Sequence, residues 1–106
     1  MATKQTFGSF QELLAGSQTP VLVDFYAAWC GPCQIMAGVL EQVNAQLKGK
    51  IKVIKIDTER YPTLASRHKI EAFPTLILFK QGQPVDRIQG VQTAEYMVQR
   101  LTRFIR

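Results

Sequence analysis

The side chains best equipped for chemistry in this sequence are its two cysteines, Cys30 and Cys33, set in Trp29-Cys30-Gly31-Pro32-Cys33. A thiolate is a nucleophile, a redox centre and a metal ligand, and the C-x-x-C spacing carries information in a chain with no other cysteine. The flanking residues say where the pair sits. Val21–Tyr26 is a short, nearly all-apolar run rich in β-branched and aromatic residues, which predicts a buried central strand. After the pair, Ile35, Met36, Val39, Leu40, Val43 and Leu47 recur at helical spacing. Pro32 suits the first turn of that helix, where its missing N–H is no loss. Cys30 is thus predicted at the seam of strand and helix, facing unbonded backbone N–H groups and the positive end of the helix dipole. That position favours the thiolate.

Three readings of the pair compete. A redox dithiol needs nothing more. A metal site needs four ligands, and two thiols with the lone His68 fall short unless chains dimerise. An inert disulfide closing so short a loop would constrain the unfolded chain little. The redox reading is the one adopted.

Composition narrows the field. With 106 residues and 46% hydrophobic content, the chain reads as one domain, 1–106, able to bury a core. Nothing approaches eighteen consecutive apolar residues, so no membrane span is expected. Met1–Gln5 lacks the charged-then-apolar layout of a signal peptide, and a plastid targeting segment would lie outside this sequence. Two cysteines so close together argue against a stapled secreted scaffold and for a soluble protein of a reducing compartment. The net charge is +5, but no aromatic residues interleave with the basic ones, so nucleic-acid binding is not expected. Steering of acidic protein partners suits the charge better.

The remaining elements must hold the pair in place. Thr3–Phe7 reads as a short edge strand. Ser9 and Glu12 form a capping box ahead of a helix ending at Gly16. The helix after the cysteines is expected to stop at Gly49, and Ile51–Asp57 alternates as a strand, with Val53, Lys55 and Asp57 on one face. Pro62 opens a short helix to about His68, a surface residue on this reading. Thr75–Phe79 and Val85–Gln89 form a hairpin about Gln81-Gly82, and Thr93 caps a last helix bearing Met97, Val98, Leu101, Phe104 and Ile105. The order β-α-β-α-β-α-β-β-α implies an α/β protein with a central mixed sheet flanked by helices.

Val-Asp-Phe-Tyr-Ala-Ala-Trp-Cys-Gly-Pro-Cys from Val23, Phe73-Pro74-Thr75, and Phe79-Lys80-Gln81-Gly82 followed by Gly90 together resemble the thioredoxin family over nearly the whole chain. Lys55-Ile56-Asp57-Thr58-Glu59, Tyr61-Pro62 and Lys69-Ile70-Glu71-Ala72 look most like the y-type thioredoxins of chloroplasts and cyanobacteria. Tyr26, Gln34 and Gly38 depart from the commonest family pattern, which has tryptophan, lysine and a helix-kinking proline there. The resemblance implies the thioredoxin fold and a monomeric protein-disulfide reductase whose redox group is its own Cys30–Cys33 disulfide, with no added cofactor or metal. It also implies disulfide-containing target proteins such as peroxiredoxins, and re-reduction by a ferredoxin- or NADPH-dependent thioredoxin reductase. The setting implied is a bacterial or cyanobacterial cytoplasm, or the chloroplast stroma for a mature plastid form.

Disulfide exchange needs an attacking thiolate and a second thiol that resolves the mixed disulfide. Cys30, nearer the helix tip and solvent, fits the nucleophile; Cys33, inside the first turn, fits the shielded resolving thiol. Asp24 is a carboxylate inside an apolar strand. It either reaches solvent or a hydrogen bond at a sheet end or, as the family supports, is a buried acid that accepts the proton of Cys33. Lys55 is a modulator of Asp24 if its strand is adjacent, and otherwise a snorkelling surface lysine. Pro74 alone reads as a trans proline starting an edge strand. The resemblance implies instead a cis Phe73–Pro74 bond beside the cysteines, excluding metal and presenting the Phe73 backbone to an extended substrate. Trp29, Gly31, Pro32, Gly90 and Val91 would complete that substrate-binding surface, against a core-packing role for Trp29. Two other activities remain open: a disulfide isomerase or oxidase, and a non-catalytic binding subunit using the same surface.

Overall fold

In a computed structural model, which describes residues 7–105, the chain runs α1 (Phe7–Gly16), β1 (Val21–Tyr26), α2 (Gly31–Gln46), β2 (Lys52–Asp57), α3 (Pro62–Arg67), β3 (Thr75–Lys80), β4 (Gln83–Gln89) and α4 (Ala94–Thr102). The strands form a mixed sheet in the order β2-β1-β3-β4, with β1 parallel to β2 and the other pairs antiparallel. The thioredoxin fold expected from the sequence is the fold observed.

Strand parity divides the core. Side chains alternate across a sheet, so Val21, Val23 and Phe25 of β1 join Phe10 and Leu14 of α1, Leu64 of α3, and Ile77 and Phe79 of β3 on one face. Leu22 points to the other face, where Met36, Leu40 and Val43 of α2 meet Met97 and Leu101 of α4 with Leu76, Leu78 and Ile88. Burial of β1 on both faces explains why its sequence is almost continuously apolar. The same parity puts Asp24 on the α2 face, and Lys55 joins it there, because Val53 packs on that side while Ile54 and Ile56 pack on the other.

Local chemistry sets the ends of the elements. Gln81 and Gly82 both take positive φ, 54° and 82°, between paired Lys80 and Gln83, as a two-residue hairpin loop requires. Thr93 caps α4 by accepting the Tyr96 N–H at 3.0 Å. Asp86 of β4 and Arg100 of α4 form a two-armed ion pair, both arms 2.7 Å, that ties the helix to the edge strand.

Three expectations need correction. Of a fourth, the expected Thr3–Phe7 strand, Thr3–Thr6 lie outside the described residues, and Phe7 itself opens α1. Ser9 and Glu12 therefore lie within α1 and do not cap it. Helix α2 ends at Gln46 with Leu47 as its C-cap; Gly49 serves the following turn at φ 81°. His68 is no surface residue. Its half-buried imidazole packs against the rings of Phe10, Phe25 and Phe79 at 5.5–5.6 Å, and that burial, followed by the nearby Arg87 charge, lowers its pKa. The protonated ring is the disfavoured form in such a cluster.

Candidate active site

Cys30 is the N-cap of α2. Its sulfur accepts the Cys33 N–H at 3.2 Å, its carbonyl accepts the Gln34 N–H at 3.3 Å, and Pro32 stands in the first turn. A cysteine here does what serine or aspartate does at other helix starts, and the bond strengthens when the sulfur carries negative charge. Cys30 and Cys33 are joined by a disulfide with Cα atoms 5.2 Å apart. Each residue is 5% exposed, so area does not distinguish them. Position does: Cys30 sits at the tip of the helix dipole, and Cys33 faces inward.

What Cys33 faces is a cleft of about 120 Å³ lined with it by Asp24, Tyr26, Gln34, Ala37 and Lys55. Asp24 is 1% exposed, and its Oδ1 has no hydrogen-bond donor among the described residues. Burial raises its pKa from 3.8 to about 6, with the Lys55 ammonium pulling partly back. The parallel register aligns Asp24 directly with Lys55, whose Nζ lies 6.0 Å from the centre of the Tyr26 ring. Lys55 thus lines the cleft together with Asp24 and Tyr26, and its attraction to the ring is weak at that distance.

The expected recognition residues gather around the disulfide. Phe73 packs against Ala27, Cys30 and Cys33, and the Phe73–Pro74 bond is cis. Pro74 is buried, and its carbonyl accepts the Gly90 N–H at 2.9 Å, which brings the end of β4 beside the cysteines. Gly90 holds φ 83°, a conformation that favours glycine. Gly31, Pro32 and Val91 are exposed. Trp29 does not pack into the core. It is 66% exposed, donates to Glu59 Oε2 at 2.7 Å and meets Phe73 edge-on at 5.6 Å.

Sequence reasoning missed two contributors. Ile35, read as part of the core stripe, is 61% exposed one turn from the helix tip. Met36, Leu40, Val43 and Leu47 complete the buried stripe without it, and two consecutive helical residues do not share one narrow stripe. Glu59 entered the sequence reading only within the Lys55–Glu59 stretch of the y-type resemblance, because nothing local marks it as the partner of Trp29.

Comparison with known proteins agrees with this geometry. A family model described as Thioredoxin matches residues 2–103. A thioredoxin-like protein of Synechocystis sp., slr0233, is 57% identical over 99% of this chain and all of its own length. Thioredoxin Y1, chloroplastic, of Arabidopsis thaliana is 58% identical over 94% of this chain, which spans 58% of that protein's length. The solved structure of chloroplastic thioredoxin z superposes with a TM-score of 0.84 at 31% identity, covering 98% of this chain and 96% of that one. With its redox disulfide at the tip of α2 and a family match across almost its whole length, the chain belongs to the thioredoxin family of thiol–disulfide oxidoreductases.

Proposed function

We propose that the chain reduces disulfides of target proteins by a two-step exchange in which Cys30 attacks and Cys33 resolves. The Cys30 thiolate displaces one sulfur of the target disulfide, forming a mixed disulfide while the displaced sulfur leaves as a thiolate and takes a proton from solvent. Cys33 then passes its proton to Asp24 and attacks the Cys30 sulfur. The Cys30–Cys33 bond forms as the bond from Cys30 to the target breaks, and the second target sulfur leaves as a thiolate that takes a proton from solvent. Two electrons have passed from enzyme to target, and a reductase returns them to the pair.

The observation that carries this reading is the cleft shared by Cys33 and Asp24. A carboxyl with a pKa of about 6 is mostly ionised near neutrality yet more basic than a free carboxylate, which suits a proton acceptor for a buried thiol. Lys55 modulates that basicity. Trp29, Gly31, Pro32, Phe73, Gly90 and Val91, with Pro74 setting the Phe73 backbone, form the surface that receives an extended segment of the target. Peroxiredoxins are the target class proposed, with a ferredoxin- or NADPH-dependent thioredoxin reductase as donor. The chain is read as one domain over 1–106, working in a bacterial or cyanobacterial cytoplasm or a chloroplast stroma, a reading supported by its likeness to a Synechocystis protein and to a chloroplastic thioredoxin.

Trapping tests the roles. Cys33→Ser incubated with an oxidised peroxiredoxin should accumulate a mixed disulfide that dithiothreitol releases, and Cys30→Ser should not. The opposite pattern would exchange the two roles, and no adduct with either variant would remove the mechanism.

A further inference from the structure

A second cleft, of about 400 Å³, opens between the end of α3 and the edge strand β4, away from the disulfide. Arg67, Lys69 and Arg87 line it together with His68, Pro84 and Asp86. Among the described residues of that lining the one carboxylate, Asp86, is engaged by both arms of Arg100. Arg87 donates to the carbonyls of His68 and Lys69, which fix its guanidinium without cancelling its charge. The cleft is therefore positive, open, and within the size range of ligand sites.

Its position ties it to the redox centre. From Arg87, β4 reaches Gly90 in three residues, about 10 Å of strand, and Gly90 bonds to Pro74 beside the cysteines. From Lys69, the stretch Ile70–Ala72 leads to Phe73. Glu71 stands exposed on that second path and repels an acidic segment, which is thereby steered along β4.

We propose that the Lys69–Arg87 cleft is a docking site for an acidic segment of the target protein, engaged while the target's disulfide lies against Cys30. This rests on the reductase reading above and adds a specificity determinant to it. Docking of this kind is uniform binding, so it lowers KM and leaves kcat unchanged.

The probes are two synthetic peptides sharing one disulfide loop and a six-residue linker, which spans up to about 20 Å. One ends in four glutamates and the other in four glutamines. Wild-type chain is expected to reduce the glutamate peptide with a kcat/KM about fivefold higher at low salt, entirely through KM, since a few exposed ion pairs act together. The preference should vanish at about 0.5 M salt and in the Lys69→Gln/Arg87→Gln double variant. An unchanged rate on the glutamine peptide shows that the variant is folded, and the single Lys69→Gln variant carries the test if the double variant fails that check. Equal rates for both peptides with wild-type chain, or a preference that survives the substitutions, overturns the docking site alone. Failure to reduce either peptide overturns the reductase reading instead.

Discussion

Replacing Asp24 with alanine should stabilise the fold at pH 7 and lose that gain entirely by pH 4. The carboxyl moves from 3.8 when free to about 6 when folded, because burial outweighs the pull of Lys55. Between those values the native state holds a proton that the unfolded chain has released, so stability falls as pH rises through the window. Above about pH 6 the full cost is in place. At ~1.4 kcal/mol per pH unit it comes to about 3 kcal/mol. Alanine removes that cost but gives up the packing of the side chain. The loss is small, because Asp24 already borders a cleft of about 120 Å³. The expected net gain at pH 7 is about 1–2 kcal/mol. The assay is denaturant unfolding of both proteins at pH 4 and pH 7, each with its reduced and oxidised forms measured separately. The advantage of the variant should grow by about 2 kcal/mol between the two pH values. Single-turnover reduction of a protein disulfide on the same variant should show slowed release of the mixed disulfide, with the initial attack less affected. A difference in stability that does not change with pH, or a variant less stable at pH 7 that turns over normally, would refute the reasoning.

Asp86→Ala should destabilise the fold by about 1 kcal/mol at neutral pH, since it breaks a two-armed and partly buried ion pair. The Arg100 hydrogen bonds hold the Asp86 carboxyl below its ordinary value, so the difference should fade as pH falls through that lowered value, as measured by unfolding. His68→Phe should blunt acid destabilisation. The ring's pKa is lowered, so the wild-type fold loses stability as pH falls from about 6.5 toward the folded value, and thermal unfolding across that range should show the loss only with histidine present. Trp29→Ala should raise KM for protein disulfides far more than for a small dialkyl disulfide, with little change in stability, because the side chain is mostly exposed.

Much of the site could be read from the chain because its signals were local. The strand–Cys30–helix seam rests on a short apolar run giving way to a periodicity of 3.6, with Pro32 marking the change, and the structure places Val21–Tyr26 as a strand and starts α2 at Gly31. Asp24 was conspicuous as a charge among apolar neighbours. Its direction followed from strand parity, but its pairing with Lys55 depended on which strands are adjacent, a property of topology that no single stretch encodes. Ile35 and His68 failed in opposite directions for one reason. Hydropathy says what a side chain prefers, whereas exposure is set by which neighbours arrive. Met36 and its successors had already filled the stripe under α2, and three phenylalanines from α1, β1 and β3 closed around an imidazole that looked free in a short polar helix.

The parallel pairing of β1 with β2 gives the molecule two remote poles. Helix α2 carries the chain about 24 Å from Gly31 to Gln46, and Lys48 and Lys50 follow in the turn that leads back to Lys52, the first residue of β2. Lys52 pairs with Val21, at the opposite end of β1 from the cysteines. That separation is more than two Debye lengths at physiological salt, about 8 Å each. At that ionic strength the lysine pole therefore shapes the field that a partner meets on its own side of the molecule, yet is electrostatically silent at the sulfurs. A fluorophore, a surface tether or a charge reversal placed on those lysines would alter how the protein is approached and leave the chemistry at Cys30 untouched, which makes encounter and exchange separately adjustable in one small chain.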